Sequence, residues 1–156
     1  SCGKTTLWEK ANHVPFIIGA PGITQPGTRV DTPVSLGDIY PTLRDLAGLP
    51  AMPGLDGQSL VPLLKDPKTK WDRPALMTQG RGNHSVRSRD WRYIRYKDGT
   101  EELYDCKTDD PWNHTNLLAG EDKDNYTAVV AEHKKWLPET EAPERGPLHK
   151  SMNKKR

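Results

Sequence analysis

Gly3-Lys4-Thr5-Thr6 sets a lysine among small residues and is the first group in the chain suited to holding an anion. In a nucleotide-binding loop these residues would close the pattern G-x-x-x-x-G-K-[ST], whose backbone N–H groups curl around phosphates. Only two residues precede Gly3 here. The helical stretch that follows runs from Thr5 to about Asn12, because Val14-Pro15 turns the chain extended. No later apolar run ends in an acidic residue placed to hold Mg²⁺ beside a nucleotide. The nucleotide reading is therefore set aside. Lys4 is then either a cation for a different anion or an exposed lysine.

Other chemistry-bearing residues carry weaker patterns. Cys2 and Cys106 show no metal or redox spacing, and whether they pair is not legible. The five histidines lack zinc-type spacing such as H-x-x-E-H. Trp91, Tyr93 and Tyr96 would suit a stacking platform for sugars or bases, but their place in a strand favours core packing. Asn83-His84-Ser85, Asn113-His114-Thr115 and Asn125-Tyr126-Thr127 are glycosylation patterns that matter only in a secreted eukaryotic protein.

Composition bounds the function classes. The 156 residues carry 23 Lys and Arg against 21 Asp and Glu, a net charge of +2. That balance gives no footprint for nucleic acid or a membrane surface, and no apolar run is long enough for a spanning helix. Leu, Ile, Val and Phe make up 28 of the 156 residues. This lies below the ~20% at which a chain usually builds its own core. The expectation is that some apolar faces belong against sequence outside this chain. A loop-rich extracellular domain is the competing explanation, since Pro (14) and Gly (13) are common.

The elements that would position these residues follow from local pattern. Val14–Gly19 is a short apolar run closed by Pro21-Gly22 and reads as a strand buried on both faces of a parallel sheet. Leu36, Ile39, Leu43 and Leu46 fall at helical spacing. Pro41 is tolerated if Asp38 caps the helix or the first turn is bent, and Gly48 and Pro50 stop it. Ser59 is placed to cap a short helix over Leu60–Lys65. From residue 74 the texture is β-rich, with tight turns at Ser88-Arg89-Asp90 and Lys97-Asp98-Gly99-Thr100, implying about four antiparallel strands. Trp91, Tyr93 and Arg95 alternate with Arg92, Ile94 and Tyr96, so that strand is covered on both faces. An amphipathic helix follows, with Val129, Val130, His133, Trp136 and Leu137 toward one side. The last residues form either a wrapping arm or a disordered tail.

Three stretches together resemble the type I sulfatases of the alkaline phosphatase superfamily. "GKTTLWEKANHVPFIIGAPG" is similar to the segment in which a lysine precedes a helix and an x-V-P-L-I strand. "SLGDIYPTLRDLAGLPAMPGLDGQSLVPLLKDP" resembles the D-x-Y-P-T-L…D-G-x-S-L-x-P-L-L stretch. "RSRDWRYIRYKDGTEELYDCKTDDPWNHTNLLAG" resembles the C-terminal strands. They run in family order over about residues 3–120, closest to the iduronate sulfatase-like branch.

The resemblance implies an α/β fold: the C-terminal part of a sulfatase α/β domain over 1–70, then a small antiparallel sheet with a C-terminal helix over 71–138 and a tail over 139–156. It implies a sulfuric ester hydrolase as the complete protein, with Lys4 reaching the sulfate group. The expected substrate-binding residues are His13, His84 and Arg87. Formylglycine, made from Cys or Ser in C/S-x-P/A-x-R, and the Ca²⁺ ligands are expected upstream. Neither Cys2 nor Cys106 has that context, so this stretch alone is expected to be inactive and to self-associate. The implied ligand is a sulfated small molecule or glycan, with no nucleic acid and no membrane, and the implied setting is periplasmic, extracellular or lysosomal. The alternatives are a stand-alone module binding sulfated glycan or a partner protein, or part of a related phosphatase or phosphonate hydrolase.

Overall fold

The computed structural model describes residues 6–107 and 114–143. Its organising element is a four-stranded antiparallel sheet in the order β1-β2-β3-β4, formed by Ala75–Thr78, His84–Arg87, Trp91–Arg95 and Glu101–Asp105. Ahead of it come the single turn α1 (Glu9–Asn12), α2 (Ile39–Leu46) and α3 (Val61–Lys65). Behind it lie two 3₁₀ turns, Leu117–Ala119 and Glu121–Tyr126, and α4 (Thr127–Lys134). The four strands and both tight turns are as the sequence pattern predicts. The C-terminal helix is shorter, ending before Trp136.

The register gives each face of the sheet its own partner. Leu76, Val86, Tyr93 and Leu103 form one row, and this face packs against Val130, Tyr126, Leu117 and Leu137. Met77, Ser85, Ile94 and Glu102 lie on the other face, where Leu7 seats against Ile94 and Tyr104. Tyr93 and Ile94 are adjacent and both 0% exposed. Successive side chains point to opposite faces, so this requires cover on both sides. A small sheet thereby builds two apolar clusters.

The second anchor is Asp38. A 3₁₀ turn, Leu36–Asp38, leads into α2, and Ser35 and Asp38 cap it reciprocally. The bent entry leaves Pro41 in the first turn of α2, where its missing N–H is not needed. The Asp38 carboxylate does not cap α2. It accepts from Ser35 N (2.8 Å), Gln58 N (2.9 Å) and Arg73 Nη1 (2.7 Å) while itself buried. Thr42 continues the network: its hydroxyl donates to the Asp38 carbonyl at 2.5 Å and accepts from Leu60 N at 2.9 Å. The Asp56-Gly57 loop is thereby pulled against the 3₁₀ turn. A Cβ on Gly57 would fall 2.0 Å from the Gly37 carbonyl oxygen, so only glycine fits. Ser59 Oγ accepts from Val61 N at 3.2 Å at the start of α3, but the N-cap of α3 is Leu60, one residue later than the sequence spacing predicts.

Val14–Gly19 departs from the sequence expectation. It forms no strand. Val14 and Phe16 are exposed and Ile17 is 91% exposed. A strand needs a neighbour for its N–H and C=O groups, and no described strand lies beside this one. The apolar run is there without the sheet that would bury it.

Two outcomes follow from these anchors. Asp38→Ala leaves the Arg73 guanidinium and two backbone N–H groups without their acceptor, and removing one partner of a buried pair costs about 3–5 kcal/mol. Urea unfolding would register this as a large drop in midpoint, and an unchanged midpoint would contradict the assignment. His133 concerns pH. Its Nδ1 lies 2.7 Å from the Val129 carbonyl and its Nε2 2.9 Å from the Ser88 hydroxyl, so the neutral ring donates through Nδ1 and accepts through Nε2. Burial pushes its pKa below the usual imidazole value. A depressed pKa gives stability that is complete above the unfolded value of about 6.5 and is lost as pH falls. Thermal melts from pH 8 to 5 should show a steeper acid limb for the native chain than for His133→Gln.

Candidate functional site

The candidate site begins with how the residues after Lys4 are held. Leu7 is 1% exposed, pressed onto Ile94 and Tyr104. The backbone around it is gripped by side chains. Arg92 Nη1 donates to the Leu7 carbonyl at 2.8 Å. Asn12 Nδ2 donates to the carbonyls of Thr6 (3.0 Å) and Trp8 (2.8 Å). The Trp8 indole N–H donates to Glu102 Oε2 at 2.9 Å. That oxygen also accepts from the hydroxyls of Tyr104 (2.9 Å) and Tyr96 (3.2 Å). Burial first, then the Glu102 charge, raises both phenols, Tyr96 to about 12.

Glu9 follows in the first turn of α1, where a carboxylate also suits the helix start. Its Oε2 accepts from Arg92 Nε (2.9 Å) and Nη2 (2.5 Å) and from Arg87 Nε (2.9 Å). Burial works to raise the Glu9 carboxyl, but the two guanidiniums outweigh it and hold it below the usual carboxylate range. Burial likewise lowers Arg92, against the pull of Glu9. Arg92 spends its remaining reach on Ser85 Oγ at 2.8 Å. Arg87 also donates to the carbonyls of Ser88 and Arg89. Two cations around one anion leave this floor with positive charge in excess, in surroundings that strengthen electrostatic interactions.

The floor opens into a groove of about 1140 Å³, bordered by the 14–18 segment, the 28–36 loop and β1. His13 sits at its edge, exposed, with Nδ1 3.6 Å from Glu9 Oε1. Arg87 lies on the floor. His84 does not join them. It lies three positions from Arg87, an odd offset, so in a strand the two point to opposite faces. His84 is buried on the α4 side, with Nδ1 2.9 Å from the Thr78 hydroxyl and Nε2 3.0 Å from Glu141 Oε1. Glu141 also accepts from Gly82 N at 2.7 Å, so this pair staples the C-terminal arm to the β1–β2 hairpin. Lys4 and Cys2 lie outside the described residues. Cys106 carries a free thiol that burial pushes up.

Glu9, Arg92, Asn12 and Glu102 were not among the residues singled out from sequence. A signal existed for Arg92: a charged residue between Trp91 and Tyr93 in a strand covered on both faces must be buried with a partner. Nothing local names that partner, 83 residues away. Among the described residues, no group of three or more His, Cys, Asp or Glu gathers to hold an ion. Calcium therefore does not fit the residues described, and no helix among them is long and apolar enough to cross a membrane.

Comparison with known proteins agrees with this architecture. Residues 2–142 match the family described as N-sulphoglucosamine sulphohydrolase, C-terminal. A sulfatase of Formosa agariphila is 36% identical over 141 residues, covering 89% of this chain and 26% of its own length. Human arylsulfatase K is 33% identical over 129 residues, covering 73% of this chain and 24% of its own. A solved 2-O GAG sulfatase superposes with a TM-score of 0.55 at 32% identity, over 74% of this chain and 26% of that one. The chain thus spans about a quarter of the length of the curated relatives it matches. The match over nearly the whole chain places it in the sulfatase family, as a C-terminal portion of the N-sulphoglucosamine sulphohydrolase type.

Proposed function

We propose that this chain is the C-terminal portion of a sulfatase that hydrolyses sulfate esters of a sulfated carbohydrate, and that Lys4 is its sulfate-binding residue. The observation that carries this reading is the anchoring of Thr6–Glu9, the residues just after Lys4, onto a sheet face whose groove holds Arg87 and Arg92. The 2-O GAG sulfatase among the similar structures supports a sulfated saccharide as substrate. In this reading residues 1–70 complete the catalytic α/β domain, 71–138 form the small subdomain and 139–156 the tail. The setting is periplasmic, extracellular or lysosomal.

The chemistry assigned to this chain is electrostatic. Sulfate transfer leaves an alkoxide on the departing sugar and redistributes charge over the sulfuryl oxygens. A fixed ammonium stabilises that charge without a proton transfer, and lysine is a compact point charge suited to it. Arg87 and His13 border the same groove and would bind the anionic or hydroxylated remainder of the substrate. His84, on the opposite face, is reassigned to holding the C-terminal arm. The family's formylglycine supplies the nucleophile when present, and Ca²⁺ supplies further positive charge. Neither is held by the residues described here. Cys106 is followed by Lys107-Thr108-Asp109, without the Pro/Ala and Arg of the modification motif.

The test uses the complete enzyme that carries this chain, on matched aryl sulfate and aryl phosphate esters and on a sulfated disaccharide. Removing one preorganised charge-stabilising donor typically lowers kcat by about 10²–10³. Lys4→Ala should do so on the sulfate esters, with the fold intact by circular dichroism. Unchanged kcat/KM in Lys4→Ala, or faster turnover of the phosphate ester by the native enzyme, would overturn the reading.

A further inference from the structure

We infer that Trp8, Tyr96 and Glu102 form a second sugar-binding site beside the groove, so that the substrate is an oligosaccharide held across the sheet and not a single sulfated sugar. The inference rests on the reading that a sulfated carbohydrate occupies the groove. Glu102 pairs with Ile94 between β3 and β4, on the α1 face of the sheet. Trp8 meets it there, 39% exposed. The indole N–H donates to Glu102 Oε2 at 2.9 Å, and the same oxygen accepts from the hydroxyls of Tyr96 and Tyr104. The backbone beneath the ring is held by Asn12 Nδ2 on the Trp8 carbonyl and by the burial of Leu7. The indole is therefore open to solvent and fixed in place.

Of the aromatics that suit a stacking platform by sequence, Tyr93 is fully buried and Trp91 packs edge-on against Tyr126. Tyr96 rests on the Leu7 cluster and stays partly exposed. With Trp8 it leaves aromatic surface next to a carboxylate. Three donors meet on Glu102 Oε2, and among the described residues none reaches Oε1. A pyranose ring has the complementary chemistry, with C–H groups on its face and O–H donors around its edge. The indole supplies a rigid apolar plane for the face, and the carboxylate oxygen accepts from a hydroxyl. The same negative charge disfavours a sulfate or a uronate at this position, so the ring it takes carries free hydroxyls. The groove is bordered by β1, and Glu102 lies on β4 at the opposite edge of the sheet. Three strand spacings separate the two, about 14 Å. That span exceeds one sugar ring and suits a short oligosaccharide.

The experiment uses the complete enzyme and compares an aryl sulfate with a sulfated glycosaminoglycan tetrasaccharide. Trp8→Leu removes the aromatic plane. The ratio of kcat/KM on the tetrasaccharide to kcat/KM on the aryl sulfate should fall about five- to tenfold, through KM, which is the lower end of what one stacking contact contributes. A defect of folding or anchoring lowers both substrates together. An unchanged ratio would therefore overturn the inference and leave the carbohydrate reading standing. Fluorescence gives a second readout that needs no turnover. The desulfated tetrasaccharide should shift the tryptophan emission of the native enzyme to shorter wavelength, and Trp8→Phe should abolish that shift. Its absence in the native enzyme, or its persistence in Trp8→Phe, would also count against the site. A native enzyme that hydrolyses the aryl sulfate but no sulfated saccharide would remove the carbohydrate reading, and this inference with it.

Discussion

The carboxylate of Glu9, held between the guanidiniums of Arg92 and Arg87, is the interaction on which the rest of the described structure depends. It joins the first helical turn to the middle of a sheet more than 75 residues later in the chain. Burying Arg92 at 3% exposure would be prohibitive alone. It is tolerated because every direction the guanidinium reaches has an acceptor: Glu9, the Leu7 carbonyl and Ser85. Apolar contact between Leu7 and Ile94 would hold the two parts together without fixing their register. The ion cluster adds direction, because each bond has one geometry.

A second carboxylate, Asp38, does for the region ahead of the sheet what Glu9 does beneath it. Its two oxygens collect a turn, a loop and an arginine. The motif residues around it, Thr42, Gly57 and Ser59, then read as parts of one joint: Thr42 relays to Leu60, Gly57 permits close approach and Ser59 accepts from Val61 N at the start of α3. Ser59 also donates to Asp45 on α2 at 2.5 Å, closing the joint from the other side. The segment 50–60 has little regular structure and is nonetheless fixed by polar contacts.

The two faces of the sheet divide the work. The α4 face is apolar at its centre, with His84–Glu141 and His133–Ser88 as polar fastenings at its edges. The α1 face carries the charge and opens on the groove. A substitution on the first face acts on stability. One on the second also acts on whatever the groove holds. The register enforces this, because side chains one residue apart cannot share a face.

By itself the sequence determined the four strands, the turns between them and the positions of α2 and α3, because these rest on local properties: alternation, Gly and Asp-Gly turns and the proline position; the helix it predicts from Thr5 to about Asn12 is a single turn, Glu9–Asn12, among the described residues. It also pointed to the family, through motifs whose order survives in one chain. His84 and Arg87 could have been assigned to opposite faces from their odd spacing alone. Tertiary structure decided the rest. The partner of Arg92, its reach to the Leu7 carbonyl and the approach of Gln58 and Arg73 to Asp38 all join residues whose types are common and whose sequence separation carries no pattern. The Val14–Gly19 run shows the same limit from the other side. Its composition specifies a strand, but a strand is completed only by a neighbour, and that is a property of the fold and not of the segment.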